Sequence, residues 1–292
     1  MSARARRADI RTLDERQFQP TLAAKKALIL PMNRLPISVC IISGAEARRI
    51  GRALESVAEW TTEIIVVLNE EVRDGTEEIA VKHGARIFRE PWKGYVAQKN
   101  SALAKATQPW LLNVDADEVV SPELRGELAR VVQDAAASAD CVAFSFPRLS
   151  YYCGRWIWHG DWYPDRVTRF WRRGEAEWEG AGGLHEKLNV RGAVGKLRGH
   201  LFHYSNDSIE QQIAKIAPYS SGFVTRRVAA GRSAGAVELA VRPWWRFMRA
   251  YFFRLGFLDG WQGFYIAALS SFSTLTRLAL VREAQSRRQS PP

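Results

Sequence analysis

Three acidic residues lie almost side by side in LLNVDADEVVSPEL, the segment that spans residues 111–124. Asp115, Asp117 and Glu118 follow an apolar run that is typical of a buried strand. Carboxylates at such spacing repel one another, and desolvating them is costly unless a cation is present. Because magnesium and manganese favour oxygen ligands, the segment indicates a divalent metal site at Asp115 and Asp117. The alternative is a solvated turn before a helix that Ser121 caps.

Aromatic and arginine side chains are concentrated between residues 151 and 178. Aromatic faces pack against sugar rings, and arginine pairs with phosphate and carboxylate groups. The mixture indicates an anionic sugar acceptor, while single-stranded nucleic acid and packing of the protein core are the alternatives. The residues of this segment to which we assign acceptor binding are Trp158, Trp162, Tyr163, Arg166 and Arg169.

The chain that must position these residues alternates between two patterns. The segments PISVCIIS, EIIVVLN, RIFREPW and PWLLNVDAD are mostly apolar, which is typical of buried strands. Between them, AEARRIGRALESVAEW, DGTEEIAVKHGA and YVAQKNSALAKAT read as helices, with apolar residues at helical spacing. This order predicts an α/β fold with a mainly parallel, Rossmann-like sheet and helices on both faces. Ligands bind beyond the carboxyl ends of such strands, where Asp115 and Asp117 lie.

Length and charge limit the classes of protein that fit. A chain of 292 residues with 47% apolar composition can bury one large domain, or one domain and a smaller addition. The net charge of +11 indicates an anionic partner: nucleic acid, an acidic lipid surface or a phosphorylated substrate. The three cysteines are scattered, so we predict no disulfide framework and expect a reducing cytoplasm. The basic start of the chain lacks the apolar stretch of a secretory signal.

The chain changes character near residue 239. Arg242, Arg246, Arg249 and Arg254 alternate with aromatic residues, and a run without charged residues follows over positions 260–276. That run is short for a membrane span and rich in Gly, Ser and Thr. The pattern predicts amphipathic helices that lie on an anionic membrane surface. Helices that pack against the main domain are the alternative.

Several motifs follow one another in a fixed order along the chain. The first half contains ISVCIIS, IGRALESV, EIIVV, DGTEEIAVKHGA, WKGYVAQKNSAL and LLNVDADEVVSPEL. The second half contains GDWYPDRVTRFWRRG, LHEKL, LFHYS and FLDGWQGFYIA. This ordered set resembles the family 2 glycosyltransferases, which have the GT-A fold. It is most similar to the bacterial branch that adds sugars to the lipopolysaccharide core.

The resemblance implies roles for the residues that match the motifs. Asp115 and Asp117 would bind manganese or magnesium together with the diphosphate of a nucleotide-sugar donor. His185 would be a further metal ligand or a structural contact, and Lys99 would meet phosphate charge or be a solvated lysine. The further donor-binding residues that it implies are Glu46, Asn69, Asp74, Gln98 and Asn100.

The sequence departs from the family pattern at two loops that normally hold the nucleoside. Ala45 precedes Glu46 where the family usually has an Asn-Glu pair. Leu68 and Asn69 stand where the family usually has an aspartate. Asn69 can still hydrogen-bond a base or a ribose, but it does so with an amide instead of a carboxylate. The choice of nucleotide is therefore left open by the sequence.

Sugar transfer by direct displacement needs a base that takes the proton of the acceptor hydroxyl. The candidates are Asp161, Asp165 and Glu186. Glu186 follows a Gly-rich segment, and the resemblance implies an acid in this role after the acceptor-binding segment. Asp161 and Asp165 flank WYP, where they are equally suited to cap a turn. We therefore expect Glu186 to be the base.

These observations predict a metal-dependent inverting glycosyltransferase that acts on the lipopolysaccharide core or a related surface glycan. The alternatives are a polyprenyl-phosphate glycosyltransferase and a non-catalytic basic protein that binds nucleic acid or membrane. The acidic motif within the α/β order argues against nucleic acid. We expect a cytoplasmic enzyme, peripheral on the inner face of the cytoplasmic membrane. The predicted organisation is an N-terminal extension over residues 1–33, a GT-A domain over 34–238, a membrane-associating helical region over 239–282 and a tail over 283–292.

Overall fold

The computed structural model of the protein describes residues 34–134, 136–180, 186–206 and 208–289. The predicted N-terminal extension, His185 and the end of the predicted tail lie outside the described residues. The strands are β1 (Leu35–Ser43), β2 (Thr61–Asn69), β3 (Arg86–Glu90), β4 (Trp110–Asn113), β5 (Glu118–Val120), β6 (Ala143–Tyr152), β7 (Arg155–Trp156), β8 (Asp165–Arg172), β9 (Ala176–Glu179), β10 (Lys187–Val190), β11 (Val194–Lys196) and β12 (Leu201–Asn206).

Helices connect the strands in the first half of the chain and follow them in the second. The α-helices are α1 (Ile50–Ala58), α2 (Thr76–Lys82), α3 (Tyr95–Ala104), α4 (Pro122–Gln133), α5 (Ile209–Ala214), α6 (Ile216–Ala229), α7 (Ala236–Met248) and α8 (Gly260–Gln289). Arg249–Phe253 form a π-helical turn, and Gly256–Asp259 form a 3₁₀ turn that leads into α8.

The central sheet has two halves that differ in strand direction. β3, β2, β1 and β4 lie side by side in that order and are parallel. The order continues with β8, β6, β12 and β5, where β8 is antiparallel to both neighbours and β12 is parallel to β6. β7 and β11 pair with β6, while β9 and β10 pair with each other. The predicted α/β fold with a mainly parallel sheet is confirmed, and its antiparallel strands β5, β7 and β8 follow the four parallel strands in the chain.

The parallel half of the sheet is buried on both faces. On one face, Val39 and Val66 pack with α1 and α4, and on the other face Cys40 and Val67 pack with α3. Successive residues of a strand point to opposite faces, so strands covered on both faces are apolar without interruption. This packing fixes the carboxyl ends of β1, β2 and β4 at one edge of the sheet.

The C-terminal helices pack against one another and against the connection between β6 and β8. Asp259 accepts hydrogen bonds from the backbone nitrogen of His159 at 2.7 Å and contacts the His159 Nδ1 at 3.0 Å. Ile266 of α8 packs against Tyr152 and Ile157. Among the described residues, the helical stretch Gly256–Arg287 meets the length and composition of a membrane span, a criterion that core helices of soluble proteins also meet. The predicted C-terminal helical region is therefore present and joined to the sheet.

Candidate active site

A cavity of about 580 Å³ opens at the edge of the sheet where β1, β2 and β4 end. The predicted site residues in its lining are Glu46, Asn69, Lys99, Asp115, Asp117 and Glu186. Residues that we did not predict also line it, namely Trp92, Tyr95, His203 and Tyr219. Side chains for which the sequence predicts metal, diphosphate and base roles thus surround one cavity.

The turn after β4 is stabilised by its own third acid. Glu118 is buried, and its carboxylate accepts a hydrogen bond from the backbone nitrogen of Asp115 at 2.9 Å. Its backbone nitrogen donates to the carbonyl oxygen of Asp115 at 2.9 Å. Ser121 caps α4, as the sequence predicts, by accepting a hydrogen bond from the backbone nitrogen of Leu124 at 3.1 Å. The turn is therefore held in place before any ligand binds.

Asp115 is neutralised by basic residues of the protein. The guanidinium of Arg169 donates to the Asp115 Oδ2 at 2.6 Å, and the Lys99 ammonium lies 3.5 Å from the Asp115 Oδ1. Burial would raise the pKa of the Asp115 carboxyl, but the charges of Arg169 and Lys99 outweigh it and hold that pKa well below its ordinary value. Arg169, which we predicted to bind the acceptor, instead lies buried behind Asp115 and also contacts Asn113 at 3.2 Å.

A second arginine, Arg148, forms ion pairs with Glu118 and Asp165. Arg148 lies 3.4 Å from the Glu118 carboxylate and donates to the Asp165 Oδ2 at 2.7 Å. Burial would lower the pKa of Arg148, but the charges of Glu118 and Asp165 raise it. Asp165, a candidate base, is therefore engaged in an ion pair at the start of β8 and does not line the cavity.

Asp117 has a different partner from Asp115. Its Oδ2 lies 3.5 Å from the Nε2 of His203, and both side chains line the cavity. β12 brings His203 into this position, because β12 pairs with β5 and the Tyr204 backbone nitrogen donates to the Asp117 carbonyl at 2.9 Å. The sequence shows only a single histidine in LFHYS, far along the chain from the acidic turn. Motif spacing therefore does not reveal that His203 lies beside Asp117.

Asp117 and His203 form a donor set that suits a divalent cation. Carboxylate oxygen and imidazole nitrogen are both ligands of manganese, and magnesium is commonly bound through one or two carboxylates and substrate phosphates. Among the described residues, no group of three or more His, Cys, Asp or Glu side chains is placed to hold a metal ion. A metal held by Asp117 and His203 would need further ligands from a bound diphosphate or water.

Lys99 and Glu186 form an ion pair inside the cavity. The Lys99 Nζ donates to the Glu186 Oε2 at 2.5 Å and lies 4.6 Å from the ring centre of Trp178. The Lys99 side chain is 6% exposed, so the predicted alternative of a solvated surface lysine does not describe it. Glu186 is 20% exposed and lines the cavity, as expected of a residue that meets a substrate.

The loops after β1 and β2 are joined by Asp74. Its carboxylate accepts hydrogen bonds from the Ala47 backbone nitrogen at 3.1 Å and from the Thr76 hydroxyl at 2.5 Å. Thr76 in turn accepts a hydrogen bond from the backbone nitrogen of Glu46 at 3.0 Å. Asp74 does not line the cavity, and its contacts position Glu46 at the wall near Asn69.

Trp92 and Tyr95 stand at the mouth of the cavity as an aromatic pair. Their ring centres are 4.8 Å apart in an edge-to-face arrangement, and the side chains are 48% and 46% exposed. Gly94, with a φ of 88°, allows the chain to turn between β3 and α3 so that both rings reach the opening. Exposed aromatic rings at a cavity mouth are suited to stack on a flat ligand group.

The remaining residues of the QKN motif are part of the framework. Gln98 is buried, and its Oε1 accepts a hydrogen bond from the Lys93 backbone nitrogen at 3.4 Å. Asn100 bonds to the backbone of Trp178 twice, at 2.8 and 2.9 Å. These contacts attach α3 to β9 and hold Lys99 in the cavity between them.

The predicted acceptor residues are distributed over separate contacts. Trp158 and Tyr163 pack with His200, and the Tyr163 hydroxyl lies 3.1 Å from the His200 Nε2. Arg166 donates to backbone carbonyl oxygens at 2.7 and 2.8 Å. Trp162 lines a second cavity, which is considered below. The structure therefore does not bring these residues together in the lining of the first cavity.

Asp161, the other candidate base, lies at the centre of an arginine cluster. Its side chain is 3% exposed, and Arg246, Arg249 and Arg254 approach its carboxylate at 2.6, 2.9 and 3.1 Å. This cluster joins the turn at Gly160–Trp162 to α7 and the residues that follow it. Asp161 is thus placed as a structural acid, away from the lining of the first cavity.

Comparison with known proteins places this arrangement in a wider group. The family model described as Glycosyl transferase family 2 matches residues 38–189. An uncharacterized glycosyltransferase of Rickettsia prowazekii (strain Madrid E) is 32% identical over 261 residues, which cover 85% of this chain and 87% of that protein. The lipopolysaccharide core biosynthesis glycosyltransferase LpsC of Rhizobium meliloti (strain 1021) is 30% identical over 260 residues, which cover 85% of this chain and 94% of LpsC.

Solved structures give a similarity at lower sequence identity. The mannosyltransferase PcManGT from Pyrobaculum calidifontis, in complex with GDP-Man and Mn²⁺, matches with a TM-score of 0.46 and 14% identity. The match covers 90% of this chain and 83% of that one. The family model covers about half of the chain and the curated relatives cover most of it, in agreement with the ordered motifs. The chain therefore belongs to glycosyl transferase family 2, and the protein is a glycosyltransferase.

Proposed function

We propose that this glycosyltransferase is metal-dependent and inverting, and that it moves a sugar from a nucleotide-diphosphate donor to a hydroxyl group of a saccharide. The observation that carries the proposal is that the Asp117–His203 pair and the Lys99–Glu186 ion pair line the same cavity. The Asp117–His203 pair is suited to hold a metal at the leaving group, and the Lys99–Glu186 pair contains the base. A displacement reaction needs both functions within one site.

The leaving diphosphate develops negative charge that the site must stabilise. Asp117 and His203 would hold a divalent metal, which supplies Lewis-acid stabilisation of the diphosphate when it is bound. Lys99 adds an ammonium group to the same cavity. Arg169 and Glu118 keep the acidic turn in place, so these groups need little rearrangement when the charge develops.

Glu186 is the base of this proposal. Its carboxylate is paired with Lys99 when no donor is bound. A diphosphate in the cavity competes for the Lys99 ammonium, and the released carboxylate then takes the proton of the acceptor hydroxyl. The hydroxyl oxygen attacks the anomeric carbon opposite the departing diphosphate, so the configuration at that carbon inverts.

The nucleoside of the donor would lie between the loop after β1 and the end of β2. Glu46 and Asn69 line this side of the cavity, and Trp92 and Tyr95 stand at its mouth. Asn69 offers an amide that can both donate and accept a hydrogen bond. We propose that the amide contacts the base or the ribose and that an aromatic ring packs on the base.

We propose a saccharide of the lipopolysaccharide core, or of a related surface glycan, as the acceptor. The name of the relative LpsC supports this class of acceptor, because that protein matches over 85% of this chain. The motif order supports the same class independently of that name.

The exposed aromatic side chains of the C-terminal helices support attachment to a membrane. Trp244, Phe253 and Trp261 are 60%, 67% and 55% exposed. We refer to these three residues and the exposed Trp245, Phe252 and Phe264 as the aromatic surface. Exposed apolar patches of this kind mark interaction sites, and the net charge of +11 favours anionic lipid. We propose a peripheral position on the inner face of the cytoplasmic membrane.

Nucleotide binding measured by thermal shift tests the donor part of the proposal. We expect a nucleoside diphosphate at about 100 times its Kd to stabilise the protein by about 2.7 kcal/mol when manganese is present. Chelation of the metal should remove most of the shift. Equal shifts with and without metal would contradict metal dependence. The anomeric configuration of the product, read by proton NMR, tests inversion.

A further inference from the structure

A second cavity of about 440 Å³ adjoins the first. Tyr219 lines both cavities and forms a common wall. The second cavity lies among α5, α6, α7 and α8, next to Trp162. A ligand in it would therefore be close to the groups that we propose for sugar transfer.

One face of α8 is polar where it lines the second cavity. Ser270, Ser273, Thr274 and Arg277 lie in this lining. Their spacing of three, four and seven residues places them on one side of a helix. α8 is otherwise apolar enough to resemble a membrane span. Leu269 adds one apolar side chain to the same lining, and the Thr274 hydroxyl donates to the Ser270 carbonyl within the helix. The remaining hydroxyl and guanidinium groups of this face can hydrogen-bond a polar ligand in the cavity.

The charge of the second cavity is positive. Lys215, Arg246 and Arg277 line it, and no carboxylate belongs to the described part of its lining, although Arg246 is paired with Asp161 behind the cavity wall. Among the described residues, the buried Nε of Arg277 has no hydrogen-bond partner. Burial lowers the pKa of Arg246, and the charges of the neighbouring arginines lower it further, while the charge of Asp161 acts in the opposite direction. A bound anion would relieve this crowding of positive charge.

An unpaired acceptor lies in the same lining. The side-chain oxygen of Gln212 is buried and accepts no hydrogen bond among the described residues. Arg277 needs an acceptor and Gln212 needs a donor. A phosphate or carboxylate supplies acceptors, and a sugar hydroxyl supplies a donor. A saccharide that carries an anionic group satisfies both.

We propose that the second cavity binds the anionic group, a phosphate or a carboxylate, of the acceptor saccharide, with Arg277 as its main contact and Gln212 as the contact of a neighbouring hydroxyl. This inference rests on the proposed function, because it concerns the acceptor of that reaction. Anchoring in the second cavity would present another hydroxyl of the same saccharide to Glu186, across Tyr219.

Ligand titrations followed by saturation-transfer NMR test the proposal. The probes are glucose 6-phosphate and glucuronate, with neutral glucose, inorganic phosphate and dihexanoyl phosphatidylglycerol for comparison. We expect the two anionic sugars to bind more tightly than the other probes. Arg277→Gln should weaken their binding by about tenfold or more, since it removes a charge-assisted contact. Gln212→Leu should weaken the anionic sugars while leaving inorganic phosphate unchanged.

Controls separate this proposal from the proposed function. Arg282→Gln alters an exposed arginine of the same helix and should bind the anionic sugars as the wild type does. Arg277→Gln should keep manganese-dependent nucleotide binding. If the wild type itself shows no manganese-dependent nucleotide binding, the proposed function is overturned instead. Unchanged sugar binding in a folded Arg277→Gln variant would overturn the present inference. Equal binding of phosphatidylglycerol or inorganic phosphate would reassign the cavity to a phosphate without a sugar.

Discussion

Asp115 and Asp117 follow the same strand yet have different surroundings. Asp115 is bonded to Arg169 and lies near Lys99, so its charge is matched within the protein. Asp117 is close to His203, whose imidazole nitrogen can also bind a metal. The two residues, which the sequence presents as equivalent, thus have different charge partners. We propose that Asp115 shapes the turn and the charge of the cavity and that Asp117 is the metal ligand.

Replacement of Asp117 tests this difference. We expect Asp117→Asn and His203→Gln each to weaken manganese-dependent nucleotide binding by at least about tenfold, because each removes one ligand from a small donor set. Isothermal titration with a nucleoside diphosphate, with and without manganese, measures the effect. Asp140→Asn changes an exposed aspartate outside the cavity and should behave as the wild type does. Undiminished metal-dependent affinity in Asp117→Asn would remove the metal assignment.

Replacement of Glu186 tests the base. We expect Glu186→Gln to keep donor binding and to lose transfer by about 10²-fold or more, the usual effect of a positioned base. Single-turnover transfer and nucleotide affinity are measured on the same preparation. The matched control is Asp161→Asn, which removes an acid from the arginine cluster and should lower the melting temperature. If Asp161→Asn loses transfer while remaining folded and Glu186→Gln does not, Asp161 is the base.

At the scale of elements, α3 determines how the cavity is built. It carries Lys99 to the cavity and is attached to β9 through Asn100. On its other side, Glu90 at the end of β3 bonds with Lys105 and Ser101 of the α3 region. Burial would raise the pKa of Glu90, but the hydrogen bonds from Lys105, Lys93 and Ser101 lower it to about 2. The helix that positions Lys99 is thus held on two sides by polar contacts.

The Glu90 contacts should make stability depend on pH in a defined direction. The pKa of Glu90 is lowered from an ordinary 4.5 to about 2. Its stabilisation is therefore complete above about 4.5 and is lost as the pH falls toward 2. We expect Glu90→Gln to lower the melting temperature by about 2–4 °C at neutral pH. The difference in melting temperature between Glu90→Gln and the wild type should narrow as the pH falls from about 4.5 toward 2.

Melting curves at several pH values, followed by circular dichroism, measure this gap. Glu55→Gln, which changes an exposed glutamate of α1, is the control and should melt as the wild type does. A gap that widens on acidification would show that the ion-pair account of Glu90 is wrong.

The sequence predicted the parallel half of the sheet because each of its elements has a local pattern. The apolar runs of β1 and β2 and the helical spacing of Ile50, Leu54 and Val57 are visible without tertiary contacts. The role of His203 was not predictable in this way, because β12 reaches Asp117 through pairing with β5. Long-range pairing leaves no periodic signal in a single sequence. The same reason explains why Arg169 was assigned to the acceptor and not to Asp115.

At the scale of the whole molecule, the aromatic surface and the positive charge are combined in the C-terminal helices. Arg246, Arg249 and Arg254 contact Asp161, so replacing these arginines would disturb the fold as well as any membrane contact. The exposed aromatic rings provide a cleaner test of attachment. Trp244 and Phe253 are more than half exposed, so we expect their replacement to leave the packing of the core unchanged.

We expect the double replacement Trp244→Ser and Phe253→Ser to weaken binding to phosphatidylglycerol vesicles by at least about tenfold, because two large apolar side chains no longer insert. Co-sedimentation at low and high salt measures it, and wild-type binding should weaken with salt. Transfer to a short soluble acceptor should persist. Val81→Ser changes an exposed side chain of α2, 57% accessible, as the control. If the wild-type protein does not co-sediment with anionic vesicles at low salt, the proposed membrane attachment is ruled out.

The position of β12 within the sheet also bears on how the enzyme is made. β12 lies between β6 and β5, both of which precede it in the chain, and it supplies His203 to the cavity. A nascent chain on the ribosome that has not yet released Leu201–Asn206 holds the acidic turn but lacks its histidine. Until β12 is made, β5 lacks its neighbouring strand in the sheet, because β12 lies between β5 and β6. The cavity therefore gains His203 only after this late segment has been made and can pair with β5 and β6.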